Sequence, residues 1–155
     1  MLSLIPFERQ DCWLLSLPLF HISGQGIVWR WLYRGARLSI KAIVSLPQAM
    51  QGCRHASLVP TQLWRLLKIK NVEQKISLQN VLLGGEMIPD ELVVAAKQRG
   101  ITCWLDYGMT ETAFTVCAKQ ADSSPGVCLP LISKSLCLVN NEIHIQADSL
   151  ASGYW

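Results

Sequence analysis

One short segment, 106–111, places several chemically useful groups next to one another. It lies at the end of an apolar, strand-like run over 102–107. The segment supplies the ring of Tyr107, a permissive glycine, a hydroxyl group and a carboxylate. A nucleotide needs such a set, because the base stacks on a ring, the phosphate accepts hydrogen bonds and Mg²⁺ prefers oxygen ligands. A plain helix start, with Thr110 as N-cap and Glu111 in the first turn, fits the same residues equally well.

A second segment carries paired glycines after a strand-like run. Gly84 and Gly85 follow the apolar run at 80–83 and precede Glu86, so bare backbone is expected at the carboxyl end of this strand. Ligands bind at that edge of the sheet in open α/β folds. The sequence GQG at 24–26 lacks the third glycine of a dinucleotide-binding loop, and it predicts only a tight strand-to-helix turn.

Apolar runs typical of strands alternate along the chain with helical patterns. The strand-like runs cover 13–17, 37–40, 55–59, 80–83 and 102–107. The helical stretches cover 27–32, the residues after Pro60, and 89–99, with Gly35 and Gly100 ending the first and the last. This alternation predicts an α/β fold with a largely parallel sheet flanked by helices. Turn signals and alternating runs then predict short antiparallel strands, so we expect an α/β subdomain at 1–120 and the start of an antiparallel β subdomain at 121–155.

Length and composition restrict the class of protein. The chain has 155 residues, of which 50% are hydrophobic and 16% are charged, and its mean hydropathy is +0.26. Such apolar content excludes a disordered chain, and the small net charge of +3, spread along the sequence, argues against a nucleic-acid partner. The uncharged stretch 12–29 is long enough to span a membrane, but Pro18 and a polar cluster interrupt it, so we predict no transmembrane segment. We also expect no signal peptide, because no basic leader is present.

The six cysteines predict a reducing compartment. No two of them show the spacing of a zinc knuckle or a thioredoxin motif. Most lie in apolar runs, where a thiol behaves as a small hydrophobic group. We therefore expect reduced core cysteines in a cytoplasmic protein. A metal site at Cys53 and His55 would need further ligands, and none lies nearby in the sequence.

Three ordered motifs resemble those of the adenylate-forming superfamily, which includes acyl-CoA synthetases, luciferases and the adenylation domains of peptide synthetases. The sequence YGMTE at 107–111 is similar to the superfamily's YGxTE motif. PLFHISG at 18–24 is similar to its PLFHxxG motif, and LGGE at 83–86 to its glycine-pair loop. The resemblance covers nearly the whole chain and weakens over 123–137. It implies the same fold class as the periodicity does, within the large N-terminal domain of such an enzyme.

Finer features, at 21–27, 55–65 and 115–119, resemble the branch of this superfamily that activates o-succinylbenzoate in menaquinone synthesis. The resemblance implies an acid–thiol ligase that uses ATP and Mg²⁺ to convert a small carboxylic acid to an acyl-adenylate. Coenzyme A is then the co-substrate that takes up the acyl group. The alternatives are a ligase for another acyl or aryl acid, and a noncatalytic remnant that binds a nucleotide or a partner.

The resemblance also implies a role for each matched position. The nucleotide would be bound by the residues of the two strand-end motifs, which are Gly85, Glu86, Asp106, Tyr107, Gly108 and Thr110. Tyr107 would stack on adenine and Thr110 would bind the α-phosphate, while Glu111 would bind Mg²⁺. Thr110, Glu111 and His21 would be the catalytic residues, and the acid would be bordered by His21, Ser23, Gly84 and Met109. The alternative for His21 is a histidine satisfied within the protein core.

Other parts of the family pattern have no match in the 155 residues. These parts are the Ser/Thr/Gly-rich phosphate loop with its lysine, the ribose-binding aspartate and the C-terminal domain with the adenylation lysine. We therefore expect the sequence to correspond to the middle third of an enzyme and to be inactive alone. Such a half-apolar piece would expose apolar surface, which predicts self-association.

Overall fold

The computed structural model describes residues 4–42, 44–72, 75–122 and 128–154. Its strands are β1 (Cys12–Leu14), β2 (Arg37–Ser39), β3 (His55–Leu58), β4 (Asn80–Leu83), β5 (Thr102–Met109), β6 (Phe114–Gln120), β7 (Leu129–Pro130), β8 (Lys134–Val139) and β9 (Glu142–Ala147). Its helices are α1 (Ile22–Arg34), α2 (Leu46–Ala49), α3 (Pro60–Leu67) and α4 (Asp90–Lys97), and a 3₁₀ turn covers Thr110–Thr112. Within these ranges, β1 to β7 form one sheet in the order β2-β1-β3-β4-β5-β6-β7, and β8 pairs with β9 separately.

The pairing of the strands confirms the largely parallel α/β fold with antiparallel strands after it. Strands β1 to β5 are parallel to their neighbours, whereas β6 is antiparallel to β5 and β7 to β6. Antiparallel pairing begins at Phe114, earlier than the turn signals after residue 120 indicate. The reason is that β6 folds directly back on β5. A continuous run of apolar residues does not indicate whether a strand is parallel or antiparallel to its neighbour.

The ends of the helices follow the residues that punctuate the sequence. Helix α1 is closed by Gly35, which has a φ of 62°. Its N–H donates hydrogen bonds to the carbonyls of Trp31 and Leu32, as is typical of a glycine at the end of a helix. Helix α3 starts at Pro60, and the side chain of Gln62 accepts a hydrogen bond from the Val59 N–H at 3.0 Å. The end of α1 predicted from Gly35 and the start of α3 predicted from Pro60 are therefore both confirmed.

The sheet is covered on both faces, as the doubly apolar strands indicate. One core cluster contains Leu58 and Leu83 from the sheet with Leu63 and Leu92 from α3 and α4. The opposite cluster is smaller and consists of Ile5, Phe7, Trp13, Ile27, Leu82 and Trp104. Because neighbouring residues of one strand enter opposite clusters, β4 is buried on both sides. Helix α1 covers the second face and contacts strands β1, β2 and β6.

The cysteines differ in part from the expectation of free thiols. Cys117 and Cys128 are joined by a disulfide bond, with their Cα atoms 5.4 Å apart. The expectation fails for this pair because β6 and the approach to β7 bring together two residues that are 11 positions apart, and spacing alone does not show such a contact. Cys12, Cys53 and Cys103 are free and buried, as expected.

The uncharged stretch 12–29 does not form one continuous element. It contains strand β1, an irregular connection around Pro18 and the first turns of α1. In the described part of the chain, no helix is both long and apolar enough to cross a bilayer.

Candidate nucleotide-binding site

A cavity of about 970 Å³ lies where β4 and β5 end at the same edge of the sheet. Leu83 pairs with Leu105 at this edge, so the glycine-pair loop and the segment after Leu105 leave the sheet side by side. The described residues that line the cavity include five of the predicted nucleotide-binding residues, Gly85, Glu86, Asp106, Tyr107 and Gly108. The cavity continues along α4 to Lys97 and along β6 to Lys119. The size suits a small organic ligand such as a nucleoside monophosphate.

Glycine occupies position 84 for a steric reason and position 85 for a conformational one. A Cβ on Gly84 would lie 3.0 Å from the carbonyl oxygen and 3.2 Å from Oδ2 of Asp106 in β5, so a larger residue would force Asp106 to shift by a few tenths of an ångström. Gly85 has a φ of 89°, a conformation that side chains other than glycine rarely adopt. Gly85 thus contributes bare backbone to the lining of the cavity.

Asp106 carries an unusual charge balance. Burial raises the pKa of its carboxyl group to about 6, although the positive charges of Arg30 and Lys134 act against this rise. Its Oδ1 atom is buried and has no hydrogen-bond partner among the described residues. A carboxyl group in this state can accept or donate a hydrogen bond to a ligand near neutral pH.

The turn after β5 differs from the plain helix start that the sequence also allowed. Strand β5 has a bulge between Tyr107 and Gly108, and a Cβ on Gly108 would overlap the carbonyl of Phe114. The chain then makes a single 3₁₀ turn and returns as β6, so no helix follows for Thr110 to cap. The hydroxyl of Thr112 fills the space inside the turn, 3.0 Å from the carbonyls of Met109 and Phe114.

Glu111 is held at the tip of this turn by the end of the described chain. Its Oε1 accepts a hydrogen bond from the Tyr154 hydroxyl at 2.5 Å, and its carbonyl accepts one from the Ala151 N–H at 2.7 Å. The hydrogen bond from Tyr154 lowers the pKa of Glu111, so this carboxylate is charged at neutral pH.

The donor set fits a Mg²⁺ ion bound together with a nucleotide. One charged, accessible carboxylate beside an exposed hydroxyl is what such an ion uses when phosphates and water supply its other ligands. The part of the chain that the structure describes contains no group of three or more His, Cys, Asp or Glu side chains that could hold a metal by itself. A dedicated all-protein metal cage is therefore not seen within the described ranges.

His21 is exposed, and its ring contacts Phe20 at 4.5 Å between ring centroids. The alternative of a buried core histidine is thus wrong. His21 occupies the N-cap position of α1. Gly24, in the first turn of this helix, packs so closely against the Pro18 carbonyl that an added Cβ would overlap it. The described lining of the strand-end cavity does not include the other predicted positions, which are His21, Ser23, Gly84, Met109, Thr110 and Glu111.

Arg30 is a functional candidate that the sequence reasoning missed. It is only 6% exposed, and its guanidinium carbon lies 4.8 Å from the Trp13 ring centroid and 5.0 Å from that of Phe114. Its Nε and Nη2 atoms have no hydrogen-bond partner within the described structure. Burial lowers the pKa of Arg30 to about 10, with Asp106 opposing the shift, so the group is a cation at neutral pH. The available signal was an arginine three positions after Ile27, on the buried side of α1.

Comparison with known proteins places these features in a family. The chain matches the AMP-binding enzyme family over residues 2–155. It is 55% identical over 155 residues to 2-succinylbenzoate–CoA ligase of Salmonella typhimurium, covering 100% of this chain and 33% of that protein. It is 47% identical over 155 residues to the enzyme of the same name from Haemophilus influenzae, covering 99% of this chain and 34% of that protein.

Solved structures agree with the sequence matches. Wild-type Escherichia coli MenE with a bound m phenylether-linked analogue of OSB-AMS has a TM-score of 0.90 at 56% identity, with 99% of this chain and 34% of that chain covered. Bacillus subtilis MenE in complex with ATP and magnesium, at 23% identity and a TM-score of 0.79 over 97% of this chain and 35% of that chain, shares the fold. The chain spans about a third of the length of these relatives. Because the family match covers nearly every residue and two of its motifs meet at one cavity, the chain belongs to the AMP-binding enzyme family.

Proposed function

We propose that this chain supplies the AMP-binding part of a 2-succinylbenzoate–CoA ligase. The observation that carries the proposal is the convergence of the glycine-pair loop and the segment 106–108 on one cavity at the ends of β4 and β5. The identity of 55% to a ligase of that name supports the choice of acid. A ligase for another acyl or aryl acid is the second candidate, since side chains around the acid decide which one binds.

In this proposal the ring of Tyr107 stacks on adenine at the cavity wall. The backbone of Gly85 and the groups of Glu86 and Asp106 line the edge of the base, where the pKa of about 6 lets Asp106 act as donor or acceptor. Gly108 lets the strand bulge so that the ring and the following turn face the nucleotide. Thr110 donates its hydroxyl hydrogen to the α-phosphate, and Glu111 holds Mg²⁺.

The acid lies, in this proposal, on the side of the turn that faces α1, bordered by His21, Ser23, Gly84 and Met109. 2-Succinylbenzoate has two carboxylates, and only one is activated, so the other must be bound as an anion. Arg30 is suited to that task because it is a buried cation, and two of its nitrogen atoms have no hydrogen-bond partner among the described residues. Guanidinium groups bind carboxylates through two parallel hydrogen bonds.

The reaction then follows in two balanced steps. An oxygen of the acid's carboxylate attacks the α-phosphorus of ATP and pyrophosphate leaves, which gives the acyl-adenylate. The sulfur of coenzyme A attacks the acyl carbon, loses its proton and displaces AMP. Glu111 would hold Mg²⁺, which would supply positive charge to neutralise the phosphates, and Thr110 would stabilise the negative oxygens of the phosphorus centre by hydrogen bonding. The cytoplasmic location and the subdomain boundary near residue 120 are part of the proposal.

The test is AMP binding to the 155-residue chain by isothermal titration calorimetry. Tyr107→Ala should weaken AMP binding by about tenfold or more, because loss of base stacking costs about 1–3 kcal/mol. Tyr33→Ala is the matched control, since Tyr33 is 80% exposed on α1 and lies outside the described cavity lining. Equal affinity of wild type and Tyr107→Ala would reject the nucleotide site, and so would the absence of any AMP binding by the wild type.

A further inference from the structure

The turn that carries Thr110 and Glu111 is followed by two neighbouring residues in a costly backbone conformation. Ala113 has a φ of 51° and Phe114 a φ of 89°. Left-handed conformations of residues other than glycine persist only where surrounding contacts fix them. The local sequence offers no glycine or asparagine here to reduce that cost, so other elements must hold the turn.

Lys134, the first residue of β8, reaches across to this pair. Its Nζ donates hydrogen bonds to the carbonyl of Thr112 at 2.8 Å and to the carbonyl of Thr115 at 2.7 Å. These two carbonyls stand on either side of Ala113 and Phe114. A single ammonium group thus joins both ends of the strained pair, and charged donors make stronger hydrogen bonds than neutral ones.

The surroundings of Lys134 support this role. The hydroxyl of Ser149 donates a hydrogen bond to the same Thr112 carbonyl at 2.8 Å. The Lys134 side chain is partly buried, and burial lowers its pKa while the negative charge of Asp106 opposes the shift. Its ammonium group thus hydrogen-bonds two backbone carbonyls and is attracted by the negative charge of Asp106.

The geometry points to Lys134 as a positioning residue for the site, through the turn 110–114, and this inference rests on the proposed function. The turn places Thr110 and Glu111 on one side. On the other side it places the Phe114 ring 5.0 Å from the Arg30 guanidinium. Lys134 touches neither nucleotide nor acid in this account. It sets the backbone that carries the phosphate and metal groups and the ring that stacks on Arg30.

The experiment uses the full 155-residue chain with three variants. Lys134→Met removes the donors and the charge, Lys134→Arg retains both, and Lys70→Met removes an equivalent charge from an exposed lysine in the segment that follows α3. NMR measures φ at Ala113 and Phe114 from the couplings between their amide and α protons together with the intraresidue amide–α-proton NOE, which is strongest at positive φ. We expect Lys134→Met to lose the left-handed values at both residues, whereas Lys134→Arg and Lys70→Met keep them.

A second measurement links the turn to ligand binding. The affinity for AMP with Mg²⁺ should fall about tenfold in Lys134→Met, as expected when two charged hydrogen bonds no longer fix the site, and should recover in Lys134→Arg. If Lys134→Met does not fold, the same couplings are measured in Lys134→Met combined with Ala113→Gly, which relieves part of the strain, and the value at Phe114 decides.

Left-handed φ values at Ala113 and Phe114 in folded Lys134→Met would overturn the inference. So would a retained left-handed Phe114 in the double variant, or equal loss in Lys134→Arg. If the wild-type chain keeps the turn but binds no AMP, the proposed function is rejected. The φ values of Ala113 and Phe114 in the variants still decide the role of Lys134 in that case.

Discussion

The carboxyl group of Asp106 shows how a single residue depends on its surroundings. Burial raises its pKa from 3.8 to about 6, and the cations Arg30 and Lys134 only partly offset this effect. The folded state therefore binds this proton more tightly than the unfolded state does. The contribution of Asp106 to folding becomes unfavourable as the pH rises from about 4 to about 6, and it stays so at higher pH.

Asp106→Asn should therefore stabilise the chain at pH 8 by up to about 3 kcal/mol, which is the shift converted at about 1.4 kcal/mol per pH unit. The difference between the two proteins should stop changing below about pH 3, where Asp106 is protonated in both the folded and the unfolded state. Urea unfolding across this pH range measures the difference. Asp148→Asn, at an exposed aspartate, is the control. A difference that does not change between pH 4 and pH 8 would contradict the burial argument.

Glu111→Gln should remove the Mg²⁺ dependence of nucleotide binding and leave the fold intact. The amide keeps the size of the side chain and its place beside Tyr154, but it loses the charge that a hard cation requires. Titrations of ATP with and without Mg²⁺ should give the same affinity in this variant. Tyr154→Phe, which keeps the carboxylate, should retain the Mg²⁺ effect, and loss of that effect in both variants would instead indicate a role for the hydrogen bond.

At the scale of elements, the bulge of β5 and the return of the chain as β6 form the turn that carries Thr110 and Glu111. Gly108→Ala should destabilise the chain by about 2–3 kcal/mol, because the added Cβ overlaps the Phe114 carbonyl in a packed region. Ala113→Gly, five positions later, should instead stabilise it by about 0.5–1 kcal/mol by relieving the φ of 51°. Chemical denaturation compares the two variants. Equal effects of both substitutions would show that the turn is not strained as the backbone angles indicate.

The whole molecule exposes much apolar surface along and before α1. Phe20, Trp29 and Tyr33 are 81%, 68% and 80% exposed, and Leu32 is 52% exposed beside them. Exposed apolar patches of this kind promote association. We expect the 155-residue chain to associate at micromolar concentration, and Trp29→Lys to shift it towards monomer. Sedimentation velocity tests this, with Arg65→Lys at an exposed position of α3 as the control. A wild-type chain that stays monomeric at high concentration would contradict the prediction.

The 155-residue chain by itself should form no acyl-CoA from 2-succinylbenzoate, ATP, Mg²⁺ and coenzyme A. Its sequence contains no match to the family's phosphate loop or adenylation lysine, and loss of charge-stabilising groups lowers rates by orders of magnitude. Substituted for the matching third of the Escherichia coli relative, with which it is 56% identical over 155 residues, it should restore turnover. Thioester and AMP formation are followed for both proteins. Turnover by the short chain above background would show that its own residues suffice for the chemistry.

The amino-acid sequence determined the order of strands and helices and the edge where the nucleotide is proposed to bind. Hydrophobic periodicity is local, so the strand from Asn80 to Leu83 could be predicted with its observed bounds and the helix closed by Gly35 with its end, although that helix begins at Ile22 rather than at the predicted position 27. The rule that ligands meet parallel strands at their carboxyl ends then joined Gly85 with Tyr107, and the cavity lining contains both.

Contacts between distant parts of the chain could be decided only by the tertiary structure. The burial of Arg30 between two rings, the pairing of Cys117 with Cys128 and the reach of Lys134 to the turn all depend on how separate elements pack. The exposure of His21 belongs to the same group, because its motif fixes its place before a helix but not what covers it. Local patterns specify what each segment forms, whereas burial, charge balance and backbone strain arise when the segments meet.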